Sequence, residues 1–467
     1  MWCESLLADH IDGGRRWKGS IFALAASGMR SGRGGAFVCE SMVRHLTARP
    51  HAFACARADK VRAYRWLSNE SVTACAIDES FGERLKPQVT GRHILVIQDT
   101  TELNFEAHAD RLRDLGTVGN GTDHGLFLHP QLAVDADSDR CFGLVGAQVW
   151  NRTEGAVIDR NRRPIEDKES KRWLVGGRTA KERLSGAAHV TLVADRESDI
   201  YEEWVELPGR GFDVLTRAAQ DRRIVEGGCL FAFTDQLPVR ACYKLSVPRR
   251  PDQPTRQAIM EVRFGTVRLR RPKRLRVGQA PASVPVQVVD VREVGAAADP
   301  IHWRLLTTHP VPDAAAALQI VQWYRRRWHI ELLFWTLKRQ GLNIESSQLE
   351  TAHALMNLAM VAVHAATLVM QLVRARDGLE PQPAADLFDD TEVEALVALQ
   401  PELEGRTDKQ RNPHPPRSLA WAAWTIARLG GWDGYARRPA GPITMKRGLA
   451  QFQAFARGFL AARSVQR

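Results

Sequence analysis

In this 467-residue chain the residues best suited to chemistry are two aspartates that each end an apolar run, Asp99 and Asp195, and a quartet, Tyr324, Arg327, Glu331 and Lys338. The quartet has offsets of 0, 3, 7 and 14. If 320–341 is one helix, these project at roughly 0°, 300°, 340° and 320° and share a narrow stripe. Trp323, Ile330, Leu333, Phe334 and Leu337 fall on the adjoining face and can anchor it in a core. A solvated face with Arg327 and Glu331 paired at i,i+4 would give the same stripe, although such a face has no need of Tyr324 and Trp335. Asp99 closes HILVIQ and Asp195 closes HVTLVA. Aspartate often ends a strand as a turn former, but strand ends also present side chains to a cleft. Three converging carboxylates would suit a pair of hard divalent cations of the Mg²⁺ kind, about 3.5–4 Å apart, for phosphodiester cleavage or transfer. Arg327, Lys338 and the Tyr324 hydroxyl could then grip phosphate oxygens.

The elements that must position these groups change character along the chain. The first 75 or so residues read as helical, with basic residues among apolar ones. Residues 93–98 read as a strand, 115–125 as a Gly-rich loop, and 129–152 as two antiparallel strands joined by an Asp/Ser turn at 135–139. A polar helix is predicted from about Glu166, followed by the strand that ends at Asp195. This order predicts an α/β mixed sheet flanked by helices. Alternation typical of strands fills about 222–315, and helical periodicity runs from about 315 to the end. An acidic, Pro-containing stretch at 380–404 reads as a linker with one short helix. The helix at 417–429 is predicted to stop at Gly430-Gly431.

Composition narrows the function classes. Apolar residues make up 44% and charged residues 25%, which excludes a disordered chain or a coiled-coil rod. Lys and Arg number 65 against 54 for Asp and Glu, a net charge of +11 that suits a polyanionic partner. Residues 240–276 concentrate basic side chains, read either as an edge-protecting charge run or as a phosphate-tracking surface. Seven scattered cysteines without a CxxC pair argue against zinc ribbons and suit a reducing compartment. No P-loop is present, so no nucleotide cofactor is expected. The opening residues lack the apolar run of a signal peptide. Residues 353–373 are long enough to span a bilayer, but His353, Asn357, His364 and Gln371 favour a buried core helix. No membrane partner and a cytoplasmic location are therefore expected.

The Tyr-x2-Arg-x3-Glu-x6-Lys pattern of Tyr324, Arg327, Glu331 and Lys338, followed by GLNIESSQLE, resembles the DDE cut-and-paste transposases of bacterial insertion sequences. The similarity is to their family-four group, which includes the transposon-Five enzyme. VIQDTTELNF at 96–105 resembles the first-aspartate block and LVADRESDIY at 192–201 the second. KESKRWL, SLAWAAWTIARLGG and AYRWLSN are further matches, so the resemblance covers nearly the whole chain. The opening sixty residues, the Gly125-Leu126-Phe127 segment and the tail beyond Gly431 match least.

The resemblance implies an RNase H-like catalytic core at 76–372 with a β-rich insertion at about 222–315. It implies a helical DNA-binding domain at 1–75 and a helical C-terminal region at 373–467 used for dimerisation. Asp99, Asp195 and Glu331 would be catalytic metal ligands for two Mg²⁺ ions, with Mn²⁺ as a substitute. Tyr324, Arg327, Lys338 and Arg217 would contact DNA phosphates, and Trp303 would stack on a flipped-out base. The partners would be double-stranded transposon ends and target DNA, engaged by a homodimer in a synaptic complex associated with the nucleoid. The expected reaction is strand cleavage at the ends, hairpin formation and strand transfer. A metal-dependent nuclease without strand transfer and a non-catalytic DNA-binding regulator are the alternatives.

Overall fold

The computed structural model describes residues 29–467 except 55, 153–163, 248–255, 296–298, 339–340, 377, 379–381, 436–438 and 466–467. The opening segment that lacks a signal-peptide pattern, and Cys3 with it, lies outside the described residues.

Helices α1 (Met29–His45), α2 (Pro50–Phe53), α3 (Arg57–Leu67) and α4 (Ala74–Val89) lead the chain to its sheet. Thr73 starts α4 by accepting a hydrogen bond from the Ala76 N–H (3.2 Å), which satisfies one of the free amides of the first turn.

The central strands are β1 (His93–Gln98), β2 (Thr101–Asn104), β3 (Gly125–Asp135) and β4 (Cys141–Trp150). Helix α5 (Lys171–Arg183), β5 (His189–Val193), α6 (Tyr201–Glu206) and β6 (Phe212–Arg217) follow. β1 runs parallel to β5, and β5 parallel to β6. On its other side β1 is antiparallel to β3, whose hairpin partner is β4. A hairpin on one flank and two parallel strands on the other are consistent with the expected RNase H-like core. Covered on both faces, β1 is an unbroken apolar run rather than an alternating one. Its pleat sends Leu95 and Ile97 into one core with α-helical residues such as Ile330 and Leu355. Ile94 and Val96 enter the opposite core with Trp173 and Trp204.

The segment at 222–315 holds a short helix, α7 (Leu230–Gln236), and strands β7 (Ala241–Val247), β8 (Arg256–Arg270), β9 (Ser283–Val294) and β10 (His302–Thr307). β10 pairs antiparallel with β6, so among the described residues this β-rich segment lengthens the central sheet to ten strands instead of forming a sheet of its own.

The remaining helices are α8 (Ala314–Arg325), α9 (Trp328–Lys338), α10 (Ala352–Ala375), α11 (Asp390–Leu403), α12 (Leu419–Leu429) and α13 (Pro442–Val465). α10 is the apolar candidate span. Nineteen of its residues are buried in the protein, and Asn357 donates to the carbonyls of Leu67 and Val72. α12 stops at Gly430, with Gly431 at φ +92°, as expected.

Four expectations are corrected. Residues 320–341 are not one helix, because the chain breaks at Arg326-Arg327, where N–H groups bond three residues back instead of four. The polar helix starts at Lys171, after a separate 3₁₀ turn at Ile165–Asp167. Gly125 begins β3 rather than closing a loop: it is registered with Asn104 of β2, where a Cβ would lie 2.3 Å from the Leu103 carbonyl oxygen. The acidic stretch is no linker: Asp389 and Glu392 form a reciprocal cap for α11, which buries Val393, Ala395 and Leu396.

Candidate active site

The period of two along a strand brings the candidate residues to one face of the sheet. Leu95 and Ile97 of β1 face the α9–α10 core, and Asp99 is the next residue in that alternation. Val193 faces it too, with Asp195 two residues on. Leu215 and Leu305 do the same for Arg217 and Trp303. Because β1, β5 and β6 are parallel, Asp99, Asp195 and Arg217 lie at the same, C-terminal end of three adjacent strands.

Short bonds fix the two aspartates locally. Asp99 Oδ1 accepts from the Thr100 N–H at 2.8 Å. Asp195 Oδ1 accepts from the Glu197 N–H at 2.8 Å and caps the 3₁₀ turn Arg196–Ser198. The Asp195 carbonyl accepts from the Thr216 hydroxyl of β6 at 2.5 Å.

Helices α8 and α9 pack on this face of the sheet. At the break between them Arg327 donates to Asp99 Oδ2 at 3.0 Å and approaches Glu331 Oε1 at 3.4 Å. Burial works against the charge of Arg327, but Tyr324, Asp99, Glu331 and Asp195 outweigh it and hold the guanidinium above its ordinary value. One cation thus lies in the field of all three carboxylates. Asp99 is pushed up to about 7, first by burial and then by the Asp195 charge, with Arg327 and the Thr100 N–H pulling the other way. Burial raises the Tyr324 phenol, so it is a hydrogen-bond donor at neutral pH.

The structure therefore brings Asp99, Glu331, Arg327 and Tyr324 together, with Asp195 beside them. Trp303 lies edge-on to the Tyr324 ring with centroids 5.8 Å apart, half-buried on β10. Arg217 donates to the His302 carbonyl at 2.9 Å, next to Trp303. Lys338 is engaged elsewhere, 3.7 Å from Glu345 Oε1, an oxygen that also accepts from the Asn104 N–H.

Sequence reasoning gave Arg172 no role of its own. It donates from Nε to the Thr100 hydroxyl (2.7 Å) and from its terminal nitrogen to Glu197 (2.7 Å). It therefore bridges the residue after Asp99 and the second residue after Asp195. The signal available was its place in KESKRWL. Thr100 also meets His129 Nδ1 at 2.9 Å.

The donor chemistry fits hard divalent cations. All three ligand candidates offer carboxylate oxygens, and the elevation of Asp99 by burial and Asp195 marks a pair of acids that a multivalent cation would relieve. Asp99, Asp195 and Glu331 would hold such ions.

Residues 165–368 match the family model described as the transposase DDE domain. The match includes Asp195, Arg217, Trp303, Tyr324, Arg327, Glu331 and Lys338, while Asp99 precedes it. It supports a transposase with DDE architecture, a class that acts on DNA and generally uses divalent metals.

Proposed function

We propose that this chain is a DNA transposase of the family-four group that cleaves transposon ends, forms a hairpin and joins the freed ends to target DNA. The observation that carries the reading is the Arg327 guanidinium held jointly by Asp99 and Glu331 with Asp195 in its field. Three acids some hundred positions apart in the sequence converge there on one cationic point.

When bound by Asp99, Asp195 and Glu331, two Mg²⁺ or Mn²⁺ ions would activate the attacking oxygen and stabilise the leaving one. The chain's own part is to bind and orient DNA. Arg327 offers a fork of donors to a phosphate next to the carboxylates, and the protonated Tyr324 phenol adds a neutral donor. Trp303 presents an aromatic face beside them, suited to stack an extruded base. Arg217 supports the β10 backbone that carries this ring. Lys338, tied to Glu345, adds a positive charge for the backbone of the strand. The family-wide arrangement of an N-terminal DNA-reading region and a C-terminal dimerisation region belongs to the same proposal, as does a homodimeric synaptic complex.

The test is cleavage of duplex DNA carrying the element's ends, with Mg²⁺ or Mn²⁺ and a supercoiled target. Nicked, hairpin and joined products are expected from the wild-type chain, and none from Asp99→Ala, Asp195→Ala or Glu331→Ala. Trp303→Ala should nick normally and stall before the hairpin. Nicking that survives loss of any carboxylate overturns the proposal. Released fragments without joined products would mark a nuclease instead.

A further inference from the structure

At the opposite end of the same strands lies a second cluster. His93 opens β1 and His189 opens β5, and the parallel register pairs them directly. His309 follows β10 in the link to α8. One ligand atom from each of the three imidazoles lies within 4.8 Å of the other two; among the described residues this is the trio of His, Cys, Asp or Glu that meets that limit. At about 3.3 Å per residue along β1, the cluster is roughly 20 Å from Asp99 and independent of the carboxylate site.

An acid and a hydroxyl lie beside these rings. Asp213 of β6 places Oδ2 2.9 Å from His189 Nε2 and 3.4 Å from His309 Nδ1. Its Oδ1 accepts from the Thr308 hydroxyl at 2.6 Å. The Thr191 hydroxyl lies 2.8 Å from His93 Nε2 and 2.7 Å from His309 Nε2. Trp323 of α8 covers the cluster, its ring centroid 4.7 Å from that of His93 and 4.9 Å from that of His309.

We infer that His93, His189 and His309, with Asp213 as the oxygen donor, form a structural site for a Zn²⁺-class divalent ion. Three imidazoles and a carboxylate are a borderline-soft set that suits Zn²⁺ rather than Mg²⁺. Ligand atoms on a tetrahedral zinc ion are about 3.3 Å apart, given bond lengths near 2.0–2.1 Å. Asp213 Oδ2 stands at such separations from His189 and His309, and the imidazole ligand atoms, within 4.8 Å of one another, need to close by at most about 1.5 Å, within reach of ring rotation. An ion there would pin the N-terminal ends of β1 and β5 and the start of β6 to the link that feeds α8 and α9. The Glu331 helix would be braced from behind.

The test uses the full chain, stripped with chelator and titrated with Co²⁺, whose tetrahedral complexes absorb in the visible, with Zn²⁺ stoichiometry measured by elemental analysis. One equivalent is expected, retained in the Asp99→Ala/Asp195→Ala double variant. Binding at least tenfold weaker is expected in His189→Asn and His93→Gln, with folding checked by circular dichroism. Zn²⁺ should also raise the thermal midpoint of the wild-type chain. The proposal fails if the wild-type chain takes up no equivalent. It fails equally if a folded histidine variant binds as tightly, or if the carboxylate double variant loses the ion.

Discussion

Asp199 and Arg222 form an ion pair that sits behind the active site, with side chains 0% and 7% exposed. Arg222 Nε donates to Asp199 Oδ1 at 2.8 Å, and its terminal nitrogen donates to the Asp199 carbonyl. Asp199 Oδ2 accepts from the N–H groups of Ala219 (2.9 Å) and Gln220 (3.1 Å). The pair therefore locks the turn that begins at Asp195 to the chain just beyond Arg217. An exposed pair would contribute at most about 1 kcal/mol. Removing one partner of a buried pair costs about 3–5 kcal/mol, because the other charge stays behind unpaired. In Arg222→Met the two backbone N–H groups still serve Asp199, so the lower end, about 3 kcal/mol, is expected. Asp199→Asn/Arg222→Met should recover at least half of that, since no buried charge remains. Urea unfolding of the single and double variants measures the cycle. A loss below about 1 kcal/mol in Arg222→Met, or a double variant as weak as the sum of the singles, would refute the reasoning.

Arg172→Ala should slow single-turnover nicking about 10- to 100-fold while leaving the affinity for end DNA unchanged, as for a residue that orients metal ligands without touching substrate; equal losses in both would show a general folding defect. Gly448→Ala should destabilise the chain by at least about 1–3 kcal/mol, because the new Cβ would stand 1.8 Å from the Ile426 carbonyl oxygen where α13 crosses α12. Gly458→Ala on the same helix meets nothing within 4 Å and should stabilise by about 0.5–1 kcal/mol; similar effects from both, read in urea midpoints, would contradict the close crossing. Asp139 is held at about 2, since His329 and Arg374 outweigh the opposing effect of burial. Its folded value lies below the unfolded one of about 3.9, so its stabilisation is full above about pH 4 and fades toward pH 2. The gap in urea midpoint between the wild-type chain and Asp139→Asn should close over that window, and a gap constant from pH 5 to 2 would count against the ion pairs.

Much of the site was readable because strand parity is a local property. Once 93–98 and 189–193 are recognised as strands, the aspartates that follow them take their face from Ile97 and Val193, whatever the tertiary fold. Partner choice is not local. The alternation in 256–270 marks a strand, but nothing in it says that β10 will pair with β6 and add four strands to the central sheet. Likewise His93, His189 and His309 have no common spacing, and only the parallel register of β1 with β5 makes two of them neighbours. Arg172 escaped for the same reason: its partners, Thr100 and Glu197, are set by how α5 lies across the strand ends.

The broken helix shows how packing can overrule periodicity without losing the pattern that periodicity revealed. A 3₁₀ turn advances each residue by about 120° instead of 100°, a difference that two residues barely register in a helical projection. The stripe from Tyr324 to Glu331 thus survives a break that the projection cannot detect. The cause lies outside the helix. Arg326 donates to the carbonyls of Asp135 and Ala136, and His329 meets Asp139 at 2.7 Å. These groups belong to the β3–β4 turn, beside the N-terminal end of β1, since Asp135 is registered with Ile94. Arg327 instead reaches Asp99, five residues and about 16 Å further along that strand. Two consecutive side chains on a continuous α-helix point only about 100° apart. At this junction neighbouring arginines serve opposite ends of β1, one anchoring the helix pair to the hairpin and the other gathering the carboxylates. Asp139, at φ +65° and also paired with Arg374 of α10, holds the anchoring end in place. The position of Glu331 over the strand ends therefore rests on a hairpin turn beside the opposite end of β1.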